Sequence, residues 1–157
     1  MPERYLDDRR NLKGTRLKML CRTGCLPLMV RVGREVVPKW PREMRTCLAC
    51  NSGATEDVRH FVMECPAYAE RRRGLLSQVA RAAERSVVDI PFSAVSVEKQ
   101  FQLLLGKRVG DRLFEDRVDW QMKKFLVKSW NAREPIKTAI NSHFGTDYGM
   151  FRTSSAA

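Results

Sequence analysis

Four residues of this chain have the types and spacing of a metal site: Cys47, Cys50, His60 and Cys65. A Cys-x2-Cys pair on a tight turn points two sulfurs at one ion, and a second pair from a short helix or turn completes a tetrahedron. Cys-x2-Cys alone is common and also serves redox chemistry, but the βαβ setting of a redox pair is missing here. With His60 and Cys65 in place, the pattern indicates one structural Zn2+. Four protein ligands leave no open position for water or substrate, so the expected role is structural rather than catalytic. Zinc binding of this kind supplies on the order of 10 kcal/mol or more, enough to decide whether a small unit folds. The bland alternative is three buried free thiols beside an ordinary histidine. Cys21 and Cys25 make half of a second site without further ligands, and His143 stands alone; all three read as core or surface residues.

For the four ligands to converge, Leu48 and Ala49 must fill a turn and Gly53 must relax its exit. A short helix must then carry His60 and stop near Cys65, before Pro66. Thr55 is a good N-cap for that helix, with Glu56 and Asp57 favourable in its first turn. Upstream, residues 5–23 read as a helix with an imperfect stripe of Leu6, Leu12, Leu17 and Leu20 among arginines and lysines. Gly14 weakens its middle, and Gly24 is a stop. Residues 26–46 read as a connector limited by Pro27, Pro38 and Pro41, in which the alternation of Leu28, Val30 and Val32 predicts a short strand. Downstream, Pro66 suits the first turn of a helix over 66–85 that places Tyr68, Leu75, Leu76, Val79 and Ala83 on one face. A connector around Pro91 leads to a short helix with Phe101 and Leu103–Leu105, ended by Gly106. Residues 111–133 give the strongest pattern, with Val118, Met122, Phe125, Leu126, Ser129 and Trp130 at steps of three and four. A last short helix over 135–144 and a tail over 145–157 complete the chain. The fold class expected is mainly α. It is a single small domain over 1–157: a basic helix and connector (1–46), a CCHC zinc knuckle (47–65) and a helical region with a tail (66–157).

The 157 residues carry a net charge of +11, distributed as +7 over 1–46, −2 over 47–65 and +6 over 66–157. A surplus of this sign attracts phosphate backbones. The candidate contacts are Arg16, Lys18 and Arg22 on the first flank and Arg71, Arg72 and Arg73 on the second. Lys123, Lys124 and Lys128, mostly off the apolar stripe of 111–133, complete the set, with Arg117 beside them. The zinc unit itself is acidic: Glu56, Asp57 and Glu64 oppose only Arg59. It is expected to orient the basic flanks without touching phosphate. No apolar run reaches the roughly 18 residues of a membrane span, and no signal peptide is visible. An intracellular protein is expected, with RNA or DNA as partner and no membrane association.

The stretch Cys47-Leu48-Ala49-Cys50, followed by Glu56-Asp57-Val58-Arg59-His60-Phe61-Val62-Met63-Glu64-Cys65-Pro66-Ala67-Tyr68, resembles the zinc-knuckle region at the C-terminal end of non-LTR (LINE-type) retrotransposon reverse transcriptases. The segments Leu20–Leu28 and Pro41-Arg42-Glu43, and the helix ending Phe125-Leu126-Val127-Lys128-Ser129-Trp130-Asn131-Ala132-Arg133, are similar to parts of the same region. The likeness covers 12–135 in patches and is most specific over 47–68. It implies contact with template RNA or target DNA beside a polymerase, in nucleus or cytoplasm, with an organelle left open. Within 157 residues no fingers and palm are expected beside this region. Tyr5-Leu6-Asp7-Asp8 matches the Tyr-x-Asp-Asp polymerase signature, but no apolar strand precedes it and Arg9, Arg10 and Asn11 follow, so coincidence is expected. No nucleophile triad, phosphate loop or paired-carboxylate site stands out, and no enzyme activity is expected. Two functions compete: a zinc-stabilised nucleic-acid-binding module, most readily of RNA, and a structural subunit of a large ribonucleoprotein such as a ribosome.

Overall fold

The computed structural model describes Leu6 and residues 9–144, except the side chains of His143 and Phe144. Tyr5, Asp7 and Asp8 of the polymerase-like tetrapeptide, and the tail over 145–157, lie outside the described residues. The fold is mainly helical. Six α-helices follow one another: α1 (Leu12–Arg22), α2 (Met29–Glu35), α3 (Ala69–Glu84), α4 (Val97–Leu104), α5 (Arg112–Asn131) and α6 (Glu134–Phe144).

Helix α5 is the axis of the packing. Its buried stripe of Phe114, Val118, Met122, Phe125, Leu126 and Trp130 has the spacing expected of a core face. Asp111 starts the helix by accepting a hydrogen bond from the Phe114 amide at 3.1 Å. It also accepts from Ser86 and from the Val87 amide just beyond α3, at 2.6 and 3.1 Å. Together these bonds hold the Asp111 carboxyl below its ordinary pKa, with the Ser86 hydroxyl the largest cause. They also pin the end of α3 to the start of α5, so the two helices run antiparallel. Leu75, Val79, Ala82 and Ala83 of α3 close one side of the core, and Leu17, Leu20 and Cys21 of α1 close the other.

The N-terminal helix is shorter than its sequence pattern. A 3-10 turn, Arg9–Asn11, precedes it, and Asn11 caps it by accepting from the Gly14 amide at 2.9 Å. Leu6 and Leu12 are exposed, so the buried stripe begins only at Leu17. Gly14 serves the helix crossing: a Cβ built there would sit 2.6 Å from the Lys123 Cβ of α5. That atom is close to the backbone and cannot swing aside. Gly14→Ala recovers about 1 kcal/mol of helix propensity but forces α1 and α5 apart, at a cost of about 1–3 kcal/mol. The expected result is no gain or a net loss in urea stability, and a larger loss for Gly14→Val. A clear gain with alanine would show that the crossing is looser than described.

The expected strand over Leu28–Val32 is corrected by the structure: Met29–Glu35 is helix α2. Leu28, Met29, Val32 and Val36 are buried, which is helical rather than alternating spacing. The start of this helix is satisfied from a distance, because Glu56 accepts a hydrogen bond from the Met29 amide at 2.9 Å.

Candidate metal centre

Residues 45–47 pair antiparallel with 54–56. The Cys47 amide donates to the Ala54 carbonyl, the Glu56 amide donates to the Arg45 carbonyl, and an isolated bridge joins Thr46 to Thr55. Cys47–Cys50 lie on the turn that leaves this short ladder. The chain returns through Asn51 and Gly53, both with positive φ, a region that Asn tolerates and Gly enters freely. Asp57, not Thr55, caps the following helix by accepting from the His60 amide at 2.8 Å. Thr55 is held in the ladder instead, which corrects the expected capping.

The spacing of His60 and Cys65 demands an unusual turn. Five residues along an ordinary α-helix rotate the side chains about 140° apart. Here His60–Glu64 adopt a π-helical turn, and the Cys65 amide donates to the His60 carbonyl at 2.7 Å. The wider turn brings both side chains to one side. Pro66 then holds Cys65 in extended backbone, which ends the helix at the ligand.

The four ligand atoms lie within 4.8 Å of one another. Cys47 Sγ stands 3.8 Å from Cys65 Sγ, and Cys50 Sγ stands 3.5 Å from His60 Nε2. A tetrahedral ion with metal–sulfur bonds of about 2.3 Å and a metal–nitrogen bond of about 2.0 Å separates its ligands by about 3.8 Å and about 3.5 Å. Both separations match, so the cluster could hold a metal ion. His60 presents Nε2 to it and turns Nδ1 toward Glu64, 3.9 Å away. Burial raises the Cys47 thiol well above its usual pKa, reinforced by Glu56 beside it, and burial also raises Cys65. At Cys50 burial works in the same direction, but hydrogen bonds from Ser52 and His60 outweigh it and bring the thiol to about 6. Cys21 is buried in the core with its thiol pushed up to about 12, and Cys25 is half-buried; neither joins the cluster.

The unit is tied to the core by a buried ion pair that the sequence pattern did not reveal. Glu56, expected on an acidic surface, is completely buried and receives both Nη atoms of Arg133, itself 1% exposed. The same carboxylate accepts from Met29 and lies 3.6 Å from Cys47 Sγ. Arg133 also donates to the Tyr68 hydroxyl at 3.4 Å. Phe61, one residue after His60, packs edge-on against Tyr68 and Trp130 with centroids 5.0 and 6.2 Å apart. The remaining charges of the unit are paired: Asp57 with Arg42, and Glu64 with Arg59, which also reaches Glu98.

Three of the expected nucleic-acid contacts are corrected. Lys18 and Lys123 are 2% and 0% exposed, and they grip the two carboxylate oxygens of Asp119 at 2.6 and 2.7 Å between α1 and α5. Burial lowers the Lys18 pKa against the pull of Asp119, and neither ammonium can reach a phosphate outside. Arg72 is half-buried and donates to the Cys65 and Val62 carbonyls at 2.9 and 3.4 Å, closing the end of the π-helical turn. Arg22 reaches the Leu105 carbonyl at 3.2 Å from an exposed position, and Arg73 pairs with Glu70. Arg16, Arg71 and Lys128 are exposed, and Lys124 is partly so.

No family model, curated protein or solved structure is significantly similar to this chain. Among the described residues no helix is long and apolar enough to cross a membrane.

Proposed function

We propose that the chain is a zinc-stapled nucleic-acid-binding module without catalytic activity of its own. One observation carries this reading. Arg71, Arg81, Arg85, Arg117, Lys124 and Lys128, on α3, at its C-terminal end or on α5, have no carboxylate partner among the described residues, whereas Arg42, Arg59 and Arg133 beside the metal unit do. Cations left without carboxylates side by side on one pair of helices invite an external polyanion. The metal in this reading is zinc, because three thiolates and one imidazole form a soft tetrahedral set. Its four protein ligands fill the coordination sphere, so it braces the fold and performs no chemistry. The resemblance to the end of LINE-type reverse transcriptases supports a nucleic-acid partner, RNA or DNA.

Exposed Met44 and Leu48, before and within the Cys47–Cys50 turn, favour a second reading, a subunit whose metal unit docks on protein in a ribonucleoprotein. The two separate in a binding titration. Zinc-loaded chain is expected to bind a labelled RNA or DNA oligonucleotide with log K falling linearly in log salt, by about 0.7–0.9 per phosphate contact. Binding that is absent at low salt would reject the module and leave the subunit.

A further inference from the structure

Six of the cations without a carboxylate partner gather on two packed helices. Because α3 and α5 run antiparallel, residues near the end of α3 face residues near the start of α5. Gln78, Arg81 and Ala82 of α3, Arg85 at its C-terminal end, and Arg117 and Gln121 of α5 line one cleft of about 390 Å³. No carboxylate lines it. Arg81 and Arg85 are exposed, while Arg117 is partly covered at the edge of the seam. Helix geometry extends the cleft into a trough. On α5, Arg117, Gln121, Lys124 and Lys128 fall at steps of four, three and four on one face. On α3, Arg71 lies seven residues before Gln78 on the same face, again two turns away. Running in opposite directions, the two rows bring Arg71 to the end of the seam where Lys128 lies. Gly74, between Arg71 and Gln78, leaves open space where a side chain would stand. Beyond Arg117 and Gln121 the surface continues into a second hollow of about 220 Å³ with Trp120 in its wall, the Arg10 guanidinium lying 4.9 Å over the indole. The acid of that hollow, Asp116, faces Arg112 at 3.9 Å.

We propose that the α3–α5 seam is the binding site for a single strand of nucleic acid. The strand's phosphodiester backbone lies along the trough, Arg81, Arg85 and Arg117 hold phosphate oxygens at one end, and Trp120 takes a base. Arginine matches phosphate through its planar, forked donors, and glutamines between the cations supply neutral donors and acceptors for sugar and base edges. The aromatic beside the cation row selects a single strand, whose bases are free to stack, over a duplex. This assignment rests on the nucleic-acid reading above but names a surface that the reading does not require.

The test is fluorescence anisotropy of the zinc-loaded full chain with labelled 20-nucleotide single strands of RNA and DNA and a duplex of the same length. R81Q/R85Q/R117Q is compared with R34Q/K39Q/K99Q, which removes equal charge from elsewhere on the surface. Loss of three phosphate contacts is expected to flatten the salt slope by about 2 and weaken single-strand binding roughly 50-fold at 0.15 M salt. The charge-matched control should lose several-fold less. W120L is expected to cost roughly tenfold on single strands and nothing on the duplex. Melting and zinc content of each variant should match the parent, since these side chains lie outside the core. If the parent binds and the seam variant binds no worse than the control, the seam is wrong while the module reading stands. If the parent binds no nucleic acid, the module reading itself falls. Equal or tighter binding of the duplex would overturn the single-strand assignment.

Discussion

Removing the metal is expected to abolish the cooperative thermal transition of this protein rather than lower it slightly. Cys47 and Cys65 lie inside the main core, and Phe61 and Val62, on the turn that carries His60, are 1% and 0% exposed. Ladder and π-helical turn together hold few backbone bonds, so without an ion the segment has little to maintain it. Releasing it would strip Phe61 from Tyr68, Phe125 and Trp130, the aromatic centre of the fold. A structural zinc at such a site would contribute on the order of 10 kcal/mol, against a total stability of about 5–15 kcal/mol for a domain. Purified chain should therefore contain one equivalent of zinc, and excess chelator should remove its sigmoidal melt by circular dichroism. Cys47→Ser and Cys65→Ser should behave like the chelated protein. A zinc-free preparation that melts identically with and without chelator would overturn the metal assignment.

The second large effect is expected at Glu56. Its carboxylate holds three elements at once: Arg133 after α5, the first amide of α2, and the approach to Cys47. Burial disfavours the Arg133 cation, but Glu56 more than offsets this and leaves its pKa raised. Glu56→Gln keeps the shape and removes the charge, stranding a guanidinium that is 1% exposed. Breaking a buried pair from one side costs about 3–5 kcal/mol. Arg133→Met is expected to cost a similar amount, because it strands the carboxylate. The double variant should cost distinctly less than the sum, since neither charge is then left alone. Urea denaturation of the four proteins of this cycle measures the coupling. Additive losses, or a loss below about 1 kcal/mol for Glu56→Gln, would show that the pair is incidental. Arg133→Met should also weaken zinc affinity, because the carboxylate 3.6 Å from Cys47 Sγ would then face the metal-bound thiolate without its counter-charge.

The ligand set was legible in the chain because ligation depends on residue type and short spacing. Cys47, Cys50, His60 and Cys65 needed no knowledge of the rest of the fold to be singled out. The interval from His60 to Cys65 read only as a short helix ending near Cys65; that its turn is π-helical came from the structure. The stripe of α5 and its partner on α3 were legible for the same local reason: burial repeats with the helical period. The ends of α1 and the nature of α2 were not. Met29–Glu35 is helical in part because a carboxylate 27 residues away satisfies its first amide, and no pattern within the segment records that.

Charge was the least legible property. Lys18 and Lys123 look like solvated lysines in sequence, and only the close crossing at Gly14 places both on Asp119 inside the molecule. Glu56 looks like an exposed acid, and Arg133 lies 77 residues away from it. Whether a charge is free or consumed depends on which charge the fold brings opposite, and pairing energies fall off within a few ångströms. The basic residues Arg71, Lys124 and Lys128 were visible as basic residues, but their alignment with Arg81, Arg85 and Arg117 arises from the antiparallel packing of α3 on α5. Local spacing thus specified the Cys/His cluster and the helical class. Contacts between distant segments specified which cations remain outside and where they converge.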